Sequence, residues 1–359
     1  MILTFLRRII PLQNEKSTLE FPMLFPDADL RKILSMIYFK LPFDENLYST
    51  NNNNDETHIV FHPFDGFETV VHPGKIIQIK SEETDLTQLI SSTLPKDSNQ
   101  FIPETKDEYL KNLADVIDVI KENKLPKLVY SRRKIITDFH KIDLSKSFKN
   151  LCDSYPNAFR YIFIDEKNAW MGAFSEVLGK FNKKTYNFET MSLAGTLPVS
   201  ESWSEKEIEE QKPVTEYIRN ILKNYSDDIE ESATYDHVSG NIKHLRTDFK
   251  AMIQPENLDS IIQHMHPTPA VCGIPKDFCK EKIRELEKFP RELYAGYIKI
   301  ETEENIFYFV NLRCCKLYQD AVHIFAGGGI TAKSNPEKEW HETELKSEAI
   351  LKNLVIITE

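Results

Sequence analysis

IFYFVNLRCCKLYQDAVHIFAGGGITAKSNPEKEWHETELKSEAIL, residues 306–351, holds two apolar runs at hairpin distance, a glycine triplet and a helix. IFYFVNLRCCKLY and AVHIFAGGG read as a long hairpin of strands. Asn335 and Pro336 mark the helix start as N-cap and first-turn proline, and Glu337 adds first-turn negative charge. Within that helix Glu339, Glu342 and Lys346 fall at i, i+3 and i+7, so they share one face. On an isolated helix this is a solvated, ion-paired face. Beside a permissive Gly327–Gly329 backbone, it also resembles the wall of a site for a small anion with a bound cation.

Working outward, HIVFH (58–62) and TVVHPGKIIQIK (69–80) suggest strands. DEYLKNLADVIDVIKENK (107–124) sets Leu110, Leu113, Val116, Ile117 and Ile120 on one helical face. A soft boundary is placed near residue 105, dividing a 1–105 segment from a larger 106–359 region. Beyond it come a strand KLVYSRR (127–133), a hairpin pattern FRYIFIDEKNAWMGAF (159–174), and TYNFET running into MSLAGT (185–196). Ser204 and Glu207 form a capping box for a helix carrying Ile208, Val214, Ile218, Ile221 and Leu222, which Pro213 should bend or delay. Strands joined by hairpin-length connections imply antiparallel sheets with helices packed on them, an α+β class.

The 359 residues, 41% hydrophobic and 11% aromatic, allow a sizeable core in one large or two ordinary domains. A net charge of −11 argues against nonspecific binding to nucleic acid or anionic membrane, so an anionic ligand must meet local positive charge or a metal. Cys152, Cys272, Cys279, Cys314 and Cys315 are odd in number and lack a CxxC pair, which fits a reducing cytoplasm better than a disulfide framework or a zinc site. MILTFLRRII (1–10) is too short to span a bilayer and reads as a strand or a weakly ordered start, an uncleaved anchor being the lesser alternative. Asn51–Asn54, followed by Asp55 and Glu56, reads as an exposed loop.

Several polar residues sit inside apolar frames. Lys127 opens a strand, where a solvated head is the ordinary outcome. Glu176 ends a strand in GAFSEVLGKF, and Glu210 precedes Val214 and Ile218 by one and two turns, which points its carboxylate to the buried side and demands a partner. His266 in MHPTPAVCGIP could be a turn histidine and Arg313 an edge-strand arginine. Together, these cations and at least four carboxylates suit bound magnesium with a dicarboxylate ligand.

In order along residues 110–355 stand KLVYSRR, GAFSEVL, ETMSLAGT, EKEIEEQ, KHLRT, HPTPAVCGIP, RELYAGY, NLRCC, and AGGGI with EWHETELK. This series resembles the chorismate-utilising enzymes, which include the anthranilate, aminodeoxychorismate, isochorismate and salicylate synthases. The resemblance implies large antiparallel β-sheets with helices on the outside, an anthranilate synthase component I-like fold. Lys127 stands where water-using members have Lys and ammonia-using anthranilate synthases have Gln, so water is the implied nucleophile. Ala194 takes the place of the nucleophilic Lys of aminodeoxychorismate synthases, so no covalent capture of the ring is expected. The expected activity is therefore isochorismate synthase, an isomerase, in menaquinone or siderophore biosynthesis, with a quinone role preferred and no glutaminase subunit.

By the same resemblance, magnesium is held by Glu210 and Glu342 with Glu339 close by, and binds the ring carboxylate of chorismate. Lys127, kept neutral, takes a proton from the attacking water, and Glu176, kept protonated, donates to the departing hydroxyl. Arg313, Lys346, the Gly327, Gly328 and Gly329 turn and Tyr294 grip the enolpyruvyl carboxylate, His266 lines the ring pocket, and Gly195 and Thr196 lie beside the ring carboxylate. The chain departs from the family pattern at Phe174 and Ser175, where a small hydroxyl residue and Pro are usual, at Gln211 for His, and at Glu292 for Gly. The alternatives are a salicylate synthase that goes on to eliminate pyruvate, an anthranilate-type enzyme working with a separate amidotransferase, and a chorismate-binding protein without catalysis. A monomer is the default.

Overall fold

The computed structural model describes residues 35–51, 56–80, 102–137, 141–239 and 242–357, together with Leu86, Leu89 and 94–96. Residues 1–10 and most of the asparagine run lie outside these. In chain order the elements are β1 (Met36–Lys40), β2 (Tyr48–Thr50), β3 (Thr57–His62), β4 (Val70–Pro73), β5 (Ile76–Gln78), α1 (Lys106–Asn123), β6 (Lys127–Ile136), β7 (Lys141–Ile142), α2 (Leu144–Ser154), β8 (Phe159–Ile164), β9 (Ala169–Phe174), β10 (Val177–Asn182) and β11 (Asn187–Pro198). There follow α3 (Glu205–Leu222), β12 (Ile229–Glu231), β13 (Tyr235–Ser239), β14 (Ile242–Met252), α4 (Leu258–Met265), β15 (Gly273–Ile274), α5 (Lys276–Leu286), β16 (Tyr297–Glu301), β17 (Asn305–Val310), β18 (Cys314–Leu317), β19 (Val322–Ile330), α6 (Pro336–Leu351) and β20 (Ile356–Ile357).

Two nine-stranded sheets result. One runs β15-β6-β19-β18-β9-β8-β1-β2-β5, and the other β12-β14-β11-β10-β17-β16-β3-β4 with β13 added on β14. The neighbours in both pair antiparallel, as hairpin-length connections require. Strands from before residue 105 are built into both sheets, β1 beside β8 and β3 beside β16. The sheets meet through aromatic rings: Phe159 of β8 stacks on Phe309 of β17 with centroids 4.5 Å apart, and Phe61 of β3 on Phe163 of β8 at 4.5 Å. Such rings supply large buried area in a fixed geometry. The opposite face of the first sheet, with Ile162, Met171 and Ile324, is covered by Phe148 and Leu151 of α2 and Ile350 of α6.

The helices form where the sequence signals them. Thr105 and Glu108 make a reciprocal capping box for α1, whose Leu113, Val116, Ile117 and Ile120 are buried. Asn335 caps α6 by accepting from Lys338 N. The Glu207 carboxylate bonds the Ser204 N–H at 3.0 Å, and α3 runs on through Pro213, burying Val214, Ile218 and Leu222 while Ile208 stays exposed.

The stretch 306–329 is not one hairpin. Its first run is β17 in the second sheet, its continuation is β18 in the first, and only β18 and β19 pair as a hairpin, Cys315 opposite Ile324. Asn311–Arg313 carries the chain between the sheets, and Arg313 adopts a left-handed φ of 44° to make the turn. The turn delivers Arg313 to the cleft between the sheets.

A buried ion pair fixes the end of α5 against β6. The Arg291 guanidinium bonds Glu287, Val271 O and Val129 O, and Glu287 also accepts from Ser131 N at 2.7 Å. Removing the arginine leaves a buried carboxylate without its counter-charge and two carbonyls without the donors it supplied. Arg291→Ala should therefore lower unfolding stability by about 3–5 kcal/mol, read from the urea midpoint; a loss below about 1 kcal/mol would mean the pair is solvated.

Candidate functional site

A cavity opens between the C-terminal part of β19, the start of β6, the β9–β10 link and α3. Its wall includes Lys127, Glu176, Gly195, Thr196, Glu210, Tyr294, Arg313, Gly327, Gly328, Gly329 and Lys346, so the structure brings together most of the residues expected from the sequence. Three cations, Lys127, Arg313 and Lys346, face it in a chain whose net charge is −11. Local positive charge is what an anionic ligand would need here.

Lys127 begins β6 and is only 2% exposed, with Nζ 2.8 Å from Glu210 Oε1. The carboxylate that helix periodicity turned inward thus has its partner. Glu176 occupies the two-residue link between β9 and β10, 5% exposed, with its backbone oxygen accepting from Val310 N at 3.1 Å. Burial pushes its carboxyl up to about 7, against the opposing pull of Lys127 and then Lys346. A carboxyl in that range can carry a proton near neutrality and release it.

A β-bulge interrupts β11 between Ala194 and Leu197, where Gly195 takes a φ of +73°. The bulge turns Gly195 and Thr196 toward the cavity. Gly195 O accepts from His244 Nδ1 at 2.9 Å, and the other ring nitrogen lies 2.8 Å from Arg313 Nη2. An arginine only donates, so His244 Nε2 is the acceptor and the ring is a neutral Nδ1–H tautomer. Burial and the neighbouring Arg313 hold its pKa well below the usual histidine value. Nothing in KHLRT singles out His244; as one of several polar residues on a strand, it acquires its place only when β14 aligns with the bulge.

Two expectations need correction. Gly327–Gly329 is not a turn but strand, opposite Ser131, Tyr130 and Val129 of β6. Its glycines are required for close approach. A Cβ on Gly329 would stand 2.3 Å from both Glu210 Oε1 and Lys127 Cε, and one on Gly328 would stand 3.3 Å from Glu339 Oε2 and 3.4 Å from Glu342 Oε1. His266 does not line the cavity; its Nε2 bonds Ala295 O at 3.0 Å, and Ala270 and Val271 of the same motif take that wall.

The charged face of α6 packs on β19 as its spacing suggested. Glu339 is 2% exposed, Glu342 pairs with Lys346 at 2.7 Å, and Lys346 Nζ donates to Gly327 O at 2.8 Å. Arg132 holds the helix down, stacking 3.8 Å over the Trp340 ring and bonding Thr343 Oγ1 at 2.8 Å. Glu210, Glu339 and Glu342 are hard oxygen donors of the type magnesium takes. Glu339 and Glu342 converge over Gly328, which fits a cation there. Among the described residues, however, no three acidic, His or Cys side chains are gathered closely enough to hold a metal, since Glu210 is turned to Lys127 and Glu342 to Lys346.

The departures from the family pattern have local partners. Gln211 is buried and donates to Thr215 Oγ1 at 2.6 Å, Ser192 Oγ at 3.1 Å and Thr247 Oγ1 at 3.1 Å, pinning α3 to the sheet. Glu292 has a φ of 52°, as a glycine position would, and bridges Arg133 at 2.8 Å and Lys316 at 2.6 Å.

The sequence profile of the chorismate-binding enzymes matches residues 50–355. The chain belongs to that family. It is 28% identical over 277 residues to the isochorismate synthase EntC of Escherichia coli K12, a match covering 73% of this chain and 70% of that protein. Its fold is similar to the menaquinone-specific isochorismate synthase MenF of Escherichia coli (TM-score 0.73, 18% identity, 91% of this chain and 92% of the other). It is also similar to anthranilate synthase component I of Streptococcus pneumoniae (TM-score 0.64, 17% identity, 94% and 95%). The fold is thus common to members named for different products, and the choice among them rests on side chains in the cavity.

Gly329→Ala tests whether the glycine strand shapes this cavity. The added methyl must separate Lys127 from Glu210, so chorismate affinity, measured by calorimetry, should fall roughly tenfold or more with little change in the urea midpoint. Unchanged affinity would show that the ligand does not use this wall.

Proposed function

We propose that this protein is an isochorismate synthase, adding water to chorismate with loss of the ring hydroxyl. The observation that carries the proposal is that a buried Lys127 and a buried Glu176, whose carboxyl is raised to about 7, line the same cavity. In the resemblance drawn from the sequence, a Lys at this position marks water as nucleophile, and relatives such as EntC bear the corresponding name.

In this mechanism Lys127 removes a proton from water as it attacks the ring carbon next to the carboxylate-bearing one. Glu176 donates a proton to the departing hydroxyl across the ring. Arg313, ordered by His244, and Lys346 bind carboxylate oxygen, while the Gly195–Thr196 bulge holds the ring carboxylate side. Glu210 and Glu342, once released from Lys127 and Lys346, would hold magnesium with Glu339 close by, and the ion would supply positive charge for the ring carboxylate. Chorismate is the small-molecule substrate, and the protein acts in the cytoplasm as a monomer without a glutaminase subunit. Among the described residues no helix is long and apolar enough to cross a membrane. Relatives are named for both siderophore and menaquinone routes; a quinone role is the preferred one.

The deciding experiment incubates purified protein with chorismate, with magnesium or with excess chelator, and follows isochorismate, salicylate and pyruvate by chromatography. Magnesium-dependent isochorismate without pyruvate is expected. Salicylate with pyruvate would move the activity to the lyase branch, and no turnover would leave a binding protein. Lys127→Gln should reduce turnover about 10²- to 10⁴-fold while chorismate still binds; lost binding would count against Lys127 as the base. Because Glu176 must be protonated to act and its carboxyl titrates at about 7, kcat/KM should decline as pH rises through that value. A profile that only climbs there would remove Glu176 as the acid.

A further inference from the structure

Ser175, at the cavity, and His237, behind it, stand together, and the mechanism above uses neither. Ser175 precedes Glu176 in the β9–β10 link, is 9% exposed, and lines the cavity. It is also a position at which the chain departs from the family pattern, where proline, which has no side-chain donor, is usual. His237 belongs to β13, the strand laid on β14 off the main path of its sheet. Its Nε2 is 3.0 Å from Ser175 Oγ.

The hydrogen positions follow from the partners. Arg246 Nη1 faces His237 Nδ1 at 3.5 Å, and a guanidinium presents only donors, so Nδ1 is the accepting nitrogen and Nε2 carries the hydrogen. The ring therefore donates to Ser175 Oγ, and the serine's own proton is left to point elsewhere. Burial, with Arg246 and Arg313 nearby, holds the His237 pKa down to about 4, so the ring is neutral near pH 7. His237 lies directly across from His244 in the β13–β14 register, so both rings share one sheet face, where His244 meets Arg313.

We propose that Ser175 is a further substrate-binding residue, whose hydroxyl, fixed by the His237 Nε2–H, donates to an oxygen of the bound substrate beside Glu176; His237 is its positioning residue. Chorismate suits such a donor because its carboxylates and ring hydroxyl are all acceptors. The identity of the substrate rests on the proposed function, whereas the Ser175–His237 pair does not.

The test is a double-mutant cycle read by chorismate Kd at equilibrium and by KM and kcat for isochorismate formation, using wild type, Ser175→Ala, His237→Ala, His237→Gln and Ser175→Ala/His237→Ala. If the pair acts as a unit, each alanine variant raises Kd and KM about tenfold, the size of one hydrogen bond to a charged group, and kcat changes less. The double variant then matches either single one, and His237→Gln, which keeps an N–H donor, recovers most of the affinity. Additive losses, or a Ser175→Ala protein with wild-type Kd, would overturn the inference. Should His237→Ala fail to fold, Ser175→Ala and His237→Gln still decide it. Wild type that binds chorismate without making isochorismate defeats the proposed function and leaves the pair to be judged on Kd; wild type that turns over alongside an unaffected Ser175→Ala defeats the pair alone.

Discussion

The site depends on how closely side chains can approach one strand. In β19 the three glycines leave no Cβ above the ladder with β6, and the space so opened is taken at Gly329 by Lys127 and Glu210 and at Gly328 by Glu339 and Glu342. Any side chain on Gly329 would meet atoms closer than van der Waals contact permits. Two helices distant in sequence, α3 and α6, can thus present carboxylates to the same short stretch of backbone.

Bringing charges so close to a core raises a second constraint, because a buried ion without a partner is costly. The chain answers with pairs: Lys127 with Glu210, Lys346 with Glu342, Arg291 with Glu287. The first pair sits in the cavity wall itself, and Lys346 of the second lines it. A dianionic ligand would compete with the carboxylates for the lysines, and a cation would compete with the lysines for the carboxylates. Ligand and cation would therefore favour each other's binding there, since each releases the partner that the other uses.

Much of this was readable from local pattern. The Asn335 cap, the buried stripe of α1 and the charged face of α6 follow from capping and helical spacing, which act over a few residues and need no knowledge of the rest of the chain. The motif series carried the family and most cavity residues. It failed where position depends on partners far away in sequence. His266 sits in a motif beside the cavity, yet its ring turns to Ala295 O, and neighbouring apolar residues form the wall. IFYFVNLRCCKLY looks like one strand because both halves are apolar; only packing decides that the chain changes sheets at Asn311–Arg313. His244 and the Ser175–His237 contact depend on strand registers that periodicity does not encode.

By itself, the sequence determined an antiparallel α+β architecture, the course of α1 and the starts of α3 and α6, the membership in the chorismate-binding enzymes and the residue types available for acid, base and anion binding. These follow from short-range periodicity, capping and ordered motifs. The tertiary structure alone decided that the glycine triplet is a strand, that Lys127 and Lys346 each face a carboxylate, that burial raises the Glu176 carboxyl to about 7, and that His237 meets Ser175 while His244 meets Arg313. Each of these is set by distance and burial between segments that are remote along the chain, and such quantities exist only once the two sheets have closed on each other.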